Sequence, residues 1–271
     1  KLIWFYVKPF LYFYYKNLKL MIGVNKIVLG LDVSTSCIGI SVAGVTEDNN
    51  IVPVKVTHLR LKTSSKIKGT EALFVKSKMF SDELENFKEY NITDVVIEEP
   101  LVSSNNQQTV ATLLRFNGMI AQSVYDKMGI TPEFISSYDA RKYAMPSLMA
   151  ARKFNKKGEA YPLKKVATAV KNNELVLFGD YPFDCAKKYI LWNYVSELFP
   201  SINWVYDKKG ELKTENFDAS DSLICIMGYV GRLKYGDQEP EIVDFQLEKG
   251  VLRYTIRFCE QLFTKTVENC N

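Results

Sequence analysis

Hydrophobic and polar positions along this chain fall into runs of two kinds. Lys26-Ile-Val-Leu-Gly-Leu-Asp32 and Thr93-Asp-Val-Val-Ile-Glu98 are short and apolar on both phases until each ends in a carboxylate. That pattern predicts strands at the centre of a sheet, covered on both faces. After the Ser34-Thr-Ser36 turn, Cys37 to Ala43 reads as a strand returning antiparallel, with Gly39 where only a small residue fits. Val54 to Leu61 alternates apolar with polar like a half-exposed edge strand, and His58 falls on its polar phase as a surface residue. Glu133 to Ser137 reads as a third short strand.

The second kind repeats at helical spacing. Glu71 to Tyr90 turns Phe80, Leu84 and Phe87 inward and Glu83 and Glu85 outward, and Asn91 stops it. Asn105 to Lys127 carries Val110, Leu113, Leu114, Met119, Ile120 and Val124 on its inner side, with Arg115 among them. Phe116, Met119 and Tyr125 give that helix apolar surface beyond one inner stripe, either for a partner subunit or for the chain's own core. A helix capped by Asp139 or Ser137 follows, then one over Asp184 to Phe199 that is apolar at Ile190, Leu191, Tyr194, Val195 and Leu198. Another starts near Asn216. Strands alternating with helices imply a partly parallel sheet with helices packed on it. Residues 236–271 form a C-terminal extension readable as helix or hairpin.

Composition narrows the chemistry. With His58 as the only histidine in 271 residues, Ser-His-Asp triads, Cys-His pairs and multi-histidine metal sites are excluded. The five cysteines are scattered without a Cys-x-x-Cys pair, which fits a reducing cytoplasm rather than a disulfide framework. The net charge of +4 is modest, but Arg141, Lys142, Arg152, Lys153, Lys156, Lys157, Lys164, Lys165 and Lys171 crowd one stretch with Tyr143 and Tyr161 between them. Such a stretch is a solvated face or a surface for phosphates and bases. Residues 1–20 are aromatic and interrupted by Lys8, Pro9, Lys16 and Lys19; they read as an extension ahead of a start at Met21 rather than a membrane anchor or signal peptide.

Asp32, Glu98, Asp218 and Asp221 stand on three different elements, the last two spaced to share one face of a helix near its N-terminus. Each of those two also reads simply as a cap or first-turn acid. Converging carboxylates are the hard oxygen ligands that Mg²⁺ or Mn²⁺ takes, and two such ions about 4 Å apart clamp the attacking and leaving oxygens of a phosphodiester. Glu99 points away from Glu98 and is read as structural.

Leu-Gly-Leu-Asp32 with Gly39 seven residues on, Val-Ile-Glu98, Asn105-Asn-Gln-Gln-Thr and Asp218-Ala-Ser-Asp221-Ser-Leu occur in the order of the RuvC family of Holliday-junction resolvases, which the chain resembles over residues 26–232. The resemblance, strongest to phage-type members, implies an α/β RNase H-like mixed five-stranded sheet flanked by helices. It assigns residues 21–235 to that domain, with an insertion near 172–215. It further implies a homodimeric nuclease acting on four-way DNA junctions, with Asp32, Glu98, Asp218 and Asp221 holding two Mg²⁺ or Mn²⁺ ions. Lys164 or Lys142 is expected by the scissile phosphate, and Arg115, Arg141, Lys142, Arg152, Lys153, Lys156, Lys157 and Lys165 are expected to hold DNA. The setting implied is a bacterial or phage-infected cytoplasm, with no small-molecule cofactor and no membrane. The chain departs from the pattern at Ser34, where many members have Gly, at Leu101, where many have an aromatic residue, and at Lys142 and Lys164, which lie near the family positions and not on them. The rival readings are an actin- or sugar-kinase-like ATPase, which needs Gly-rich loops not visible among the 14 glycines, and a non-catalytic DNA-binding protein of the same fold.

Overall fold

The computed structural model describes residues 23–100 and 106–268. The aromatic segment 1–20, Leu101 and Asn105 lie outside the described residues. A five-stranded sheet in the order β3-β2-β1-β4-β5 is built from β1 (Val24–Val33), β2 (Cys37–Thr46), β3 (Ile51–Arg60), β4 (Asp94–Glu98) and β5 (Glu133–Ile135). The first three strands form an antiparallel meander, and β4 and β5 join parallel to β1. This mixed sheet, with helices on both faces, is an RNase H-like α/β fold.

Strand alternation decides which helices go where. Ile27, Leu29 and Leu31 of β1 and Val95 and Ile97 of β4 point to one face. There they pack against Phe80, Leu84, Phe87, Phe116, Ile120 and Val124 from α1 (Gly69–Glu83), the 3₁₀ turn Leu84–Tyr90 and α2 (Gln107–Met128). The change from α to 3₁₀ winding splits the single helix expected over residues 71–90, and Asn91 ends it in the left-handed conformation. On α2 the inner stripe is Phe116, Ile120 and Val124, whereas Leu114 is 45% exposed; Phe116 therefore belongs to the core and not to an outer surface.

Val28 and Val96 point to the opposite face, which α6 (Glu215–Tyr235) covers together with α3 (Ser137–Ala144) and α5 (Lys187–Leu198). Most of α6 is buried from Glu215 to Val230, so it is a central helix clad on nearly all sides. Its first turns lie directly on the strands. A Cβ at Gly39 would overlap the Asp218 carbonyl, and one at Gly30 would overlap that of Ser222. Ser41 and Ser222 share a hydroxyl hydrogen bond of 2.7 Å at this contact. The cap of α3 is Ser136, whose hydroxyl oxygen accepts from the Asp139 N–H at 3.0 Å, one residue ahead of the expected Ser137.

The C-terminal residues resolve as a meander of β8 (Glu241–Glu248), β9 (Val251–Phe258) and β10 (Gln261–Glu268). Leu252, Tyr254 and Ile256 form a second core with Met149 and Ala151 of the antiparallel β6–β7 pair (Met149–Ala151, Leu175–Leu177) and with Val166 and Val170 of α4 (Leu163–Lys171), which lies between the two strands in sequence. The extension thus shares its core with residues 149–171. Among the described residues no helix is long and apolar enough to cross a membrane.

Candidate active site

Asp32 lies at the end of β1 on the phase of Val28 and Gly30, facing α6, and Glu98 lies at the end of β4 on the phase of Val96. The parallel register places Leu31 beside Ile97, so the two acids leave adjacent strand ends. Glu99 sits on the opposite phase and is exposed. Asp32 is also the ladder partner of Gly39, on which the Asp218 carbonyl rests. The missing side chain at Gly39 is therefore what lets the first turn of α6 approach the strand end that carries Asp32.

The four acids lie within reach of one another's charge. Burial raises the Asp32 carboxyl well above the usual range, and the negative charges of Glu98, Asp221 and Asp218 raise it further. Glu98 is pushed up to about 7, first by burial and then by Asp221. Asp221 is raised by burial against the opposing pull of Arg141 and Lys188. The Arg141 Nη2 stands 3.8 Å from Asp221 Oδ2. Two buried thiols adjoin the acids. Cys225 Sγ lies 4.0 Å from Glu98 Oε2, and burial together with a hydrogen bond to Asp218 pushes the Cys37 thiol up to about 12. Glu215, one turn before the acids, is ion-paired with Arg60.

Buried carboxylates that repel one another and accept few protein hydrogen bonds are a donor set that a hard divalent cation satisfies. By chemistry the four acids fit Mg²⁺ or Mn²⁺. As the side chains stand, no three His, Cys, Asp or Glu among the described residues converge closely enough to share one ion.

The expected basic residues separate. Arg141 reaches the acids. Lys142 does not: its side chain is only 3% exposed and its ammonium is held by Glu239 at 2.7 Å and Asp139 at 3.3 Å. Lys153 is paired with Asp180 at 2.7 Å. Arg152 lies over the Phe183 ring and Lys165 over Tyr161. Lys156 and Lys157 are exposed on a turn, Lys164 is exposed on α4, and Arg115 is exposed on α2. Lys188, at the start of α5, acts on Asp32, Glu98 and Asp221 and was not among the expected residues. It lies in the stretch 172–215 that the sequence pattern leaves without a role. Its one legible signal was the Lys187-Lys188 pair opening an amphipathic helix.

No family model and no curated protein matches the sequence. Among solved structures, Thermus thermophilus RuvC in complex with a Holliday junction substrate aligns at TM-score 0.43 and 11% identity, over 78% of this chain and 97% of that one. The yeast mitochondrial Holliday junction resolvase Ydc2 aligns at 0.44 and 12%, over 78% and 80%. An Aquifex aeolicus member of the Ppx/GppA family aligns at 0.32 and 9%, over 90% and 51%. The fold assignment rests on the sheet order above.

Proposed function

We propose that this chain is a divalent-metal-dependent endonuclease that hydrolyses DNA phosphodiesters at four-way junctions, acting as a homodimer. The observation that carries the reading is the mutual field of Asp32, Glu98, Asp218 and Asp221, delivered from two adjacent strand ends and one helix. Such charge is costly to gather in a half-buried site unless a cation compensates it. Bound Mg²⁺ or Mn²⁺ would supply a lowered-pKa water and charge neutralisation at the phosphate.

The chain's own residues supply the rest. Asp32, which feels the charge of the other three acids, would be the ligand common to them when a cation binds. Arg141 and Lys188 set positive charge where a phosphate would meet the acids, the role expected of Lys164 or Lys142. Lys156, Lys157, Lys164 and Lys165 remain exposed for phosphate contacts further along the DNA. Two equivalent strands of a four-way junction call for two sites related by a two-fold axis. Exposed Leu114 and Tyr125 of α2 are the apolar positions left for that contact.

Asp32→Asn tests the assignment. Cleavage in Mg²⁺ should fall by at least about 100-fold, while junction binding in EDTA stays within about twofold. Cleavage by the variant at the wild-type rate would remove Asp32 from the centre of the site.

A further inference from the structure

Beyond the acids, α5 builds a feature that catalysis does not account for. An open cleft of about 560 Å³ lies between α5 and the Ser147-Leu148 turn, with Tyr181, Tyr189 and Trp192 in its lining and Asn193 and Glu197 as polar groups. Small-molecule sites span about 300–1,000 Å³, so a ligand of nucleobase size fits this cleft. Tyr189 is 52% exposed and Tyr181 36%, so neither ring is consumed by the core. The Trp192 indole N–H is buried and has no hydrogen-bond partner among the described residues.

Two links tie the cleft to the acids. Tyr189 follows Lys188, whose charge acts on Asp32, Glu98 and Asp221. Its ring also packs edge-on against Phe217, the residue before Asp218, with centroids 4.8 Å apart. Cations flank the same segment: Arg152 lies 4.4 Å from the Phe183 ring centroid and Lys187 lies 5.6 Å from it. Exposed tyrosines beside ordered cations are the two halves of a single-stranded nucleic-acid site, one stacking bases and the other tracking phosphates.

We infer that the Tyr181–Tyr189 cleft receives an unstacked nucleobase of a DNA strand whose backbone crosses Arg152, Lys187 and Lys188 toward the carboxylates. The inference rests on the nuclease reading and names the part of the substrate this segment grips. An anion alone would need only the cations, and an uncharged peptide would gain nothing from their charge. A strand with a displaced base uses both.

The test needs no catalysis. Fluorescence anisotropy in EDTA compares a 12-nucleotide oligothymidylate with an abasic strand of equal length and charge. The wild-type chain should bind the strand with bases about tenfold tighter or more. Tyr181→Ala/Tyr189→Ala should erase that preference and bind the abasic strand as the wild type does, whereas Tyr181→Phe/Tyr189→Phe should keep it. Equal affinity of the wild type for the two strands, or a preference that survives the double alanine variant, would overturn the inference. A protein that cuts junctions without any base preference would keep the nuclease reading and lose this site. A base preference in a protein that cuts nothing would do the reverse.

Discussion

Glu98 sets the pH behaviour of the site. A carboxyl whose folded pKa is raised from 4.5 to about 7 binds more protons folded than unfolded across that interval. Stability therefore falls as pH rises through it, because the unfolded chain gives up its proton first. Asp32 is shifted in the same direction. The expected result for metal-free protein is a Tm that drops by about 5 °C or more from pH 4.5 to 7.5 and recovers on adding Mg²⁺ at the upper pH only. Glu98→Gln should flatten the slope; an unchanged slope would place the titration elsewhere. Lys188 offers a second test. Removing its charge makes the acids easier to protonate, so Lys188→Ala should move the acid limb of the cleavage profile to higher pH, while Lys164→Ala leaves it in place. At this scale the carboxylates were legible because an acid ending an apolar run is conspicuous. Lys188 was not, since its role depends on where α5 docks.

Element packing turns on two glycines. Gly30 and Gly39 have ordinary strand backbones, and what they provide is contact distance between β1, β2 and the first turns of α6. Gly39→Ala should push the Asp218 turn outward, destabilise the fold by about 2–4 kcal/mol and abolish cleavage. Gly118 on α2 is the control, because a Cβ there meets nothing within 4 Å. Gly118→Ala should stabilise by about 0.5–1 kcal/mol in chemical denaturation, and a loss of stability there would contradict the packing described. Both strand acids were readable from apolar runs that end in a charge, and the meander from the Ser34 turn and the alternation of Val54 to Leu61. Ser34 supplies with its side chain what a glycine would have supplied by freedom, its Oγ accepting from the Cys37 N–H at 3.1 Å. The C-terminal meander was not readable. Its second turn places Cys259 and Glu260 at positive φ of 48° and 63°, a conformation that glycine or asparagine ordinarily announces.

At the scale of the molecule, Lys142 joins the two cores. Its ammonium links Glu239 and Asp139, and it lies against the rings of Tyr143 and Phe258, while the Tyr143 hydroxyl donates to the Gly236 carbonyl at 2.5 Å. Basic residues clustered in sequence thus divide between the site, the joint and the surface, which charge counting does not foretell. Lys142→Met should cost about 1–3 kcal/mol and speed hydrogen exchange in β8–β10 more than in β1–β2. Uniform change across both would contradict a joint. What the assembled molecule does is read most directly by product mapping with end-labelled four-way junction, fork and linear duplex in Mg²⁺. Paired nicks on opposite strands of the four-way junction are expected, with little cutting of linear duplex and none with Asp32→Asn. Indiscriminate cutting of linear duplex would contradict the junction reading, and intact junctions in the presence of Mg²⁺ and Mn²⁺ would contradict the nuclease.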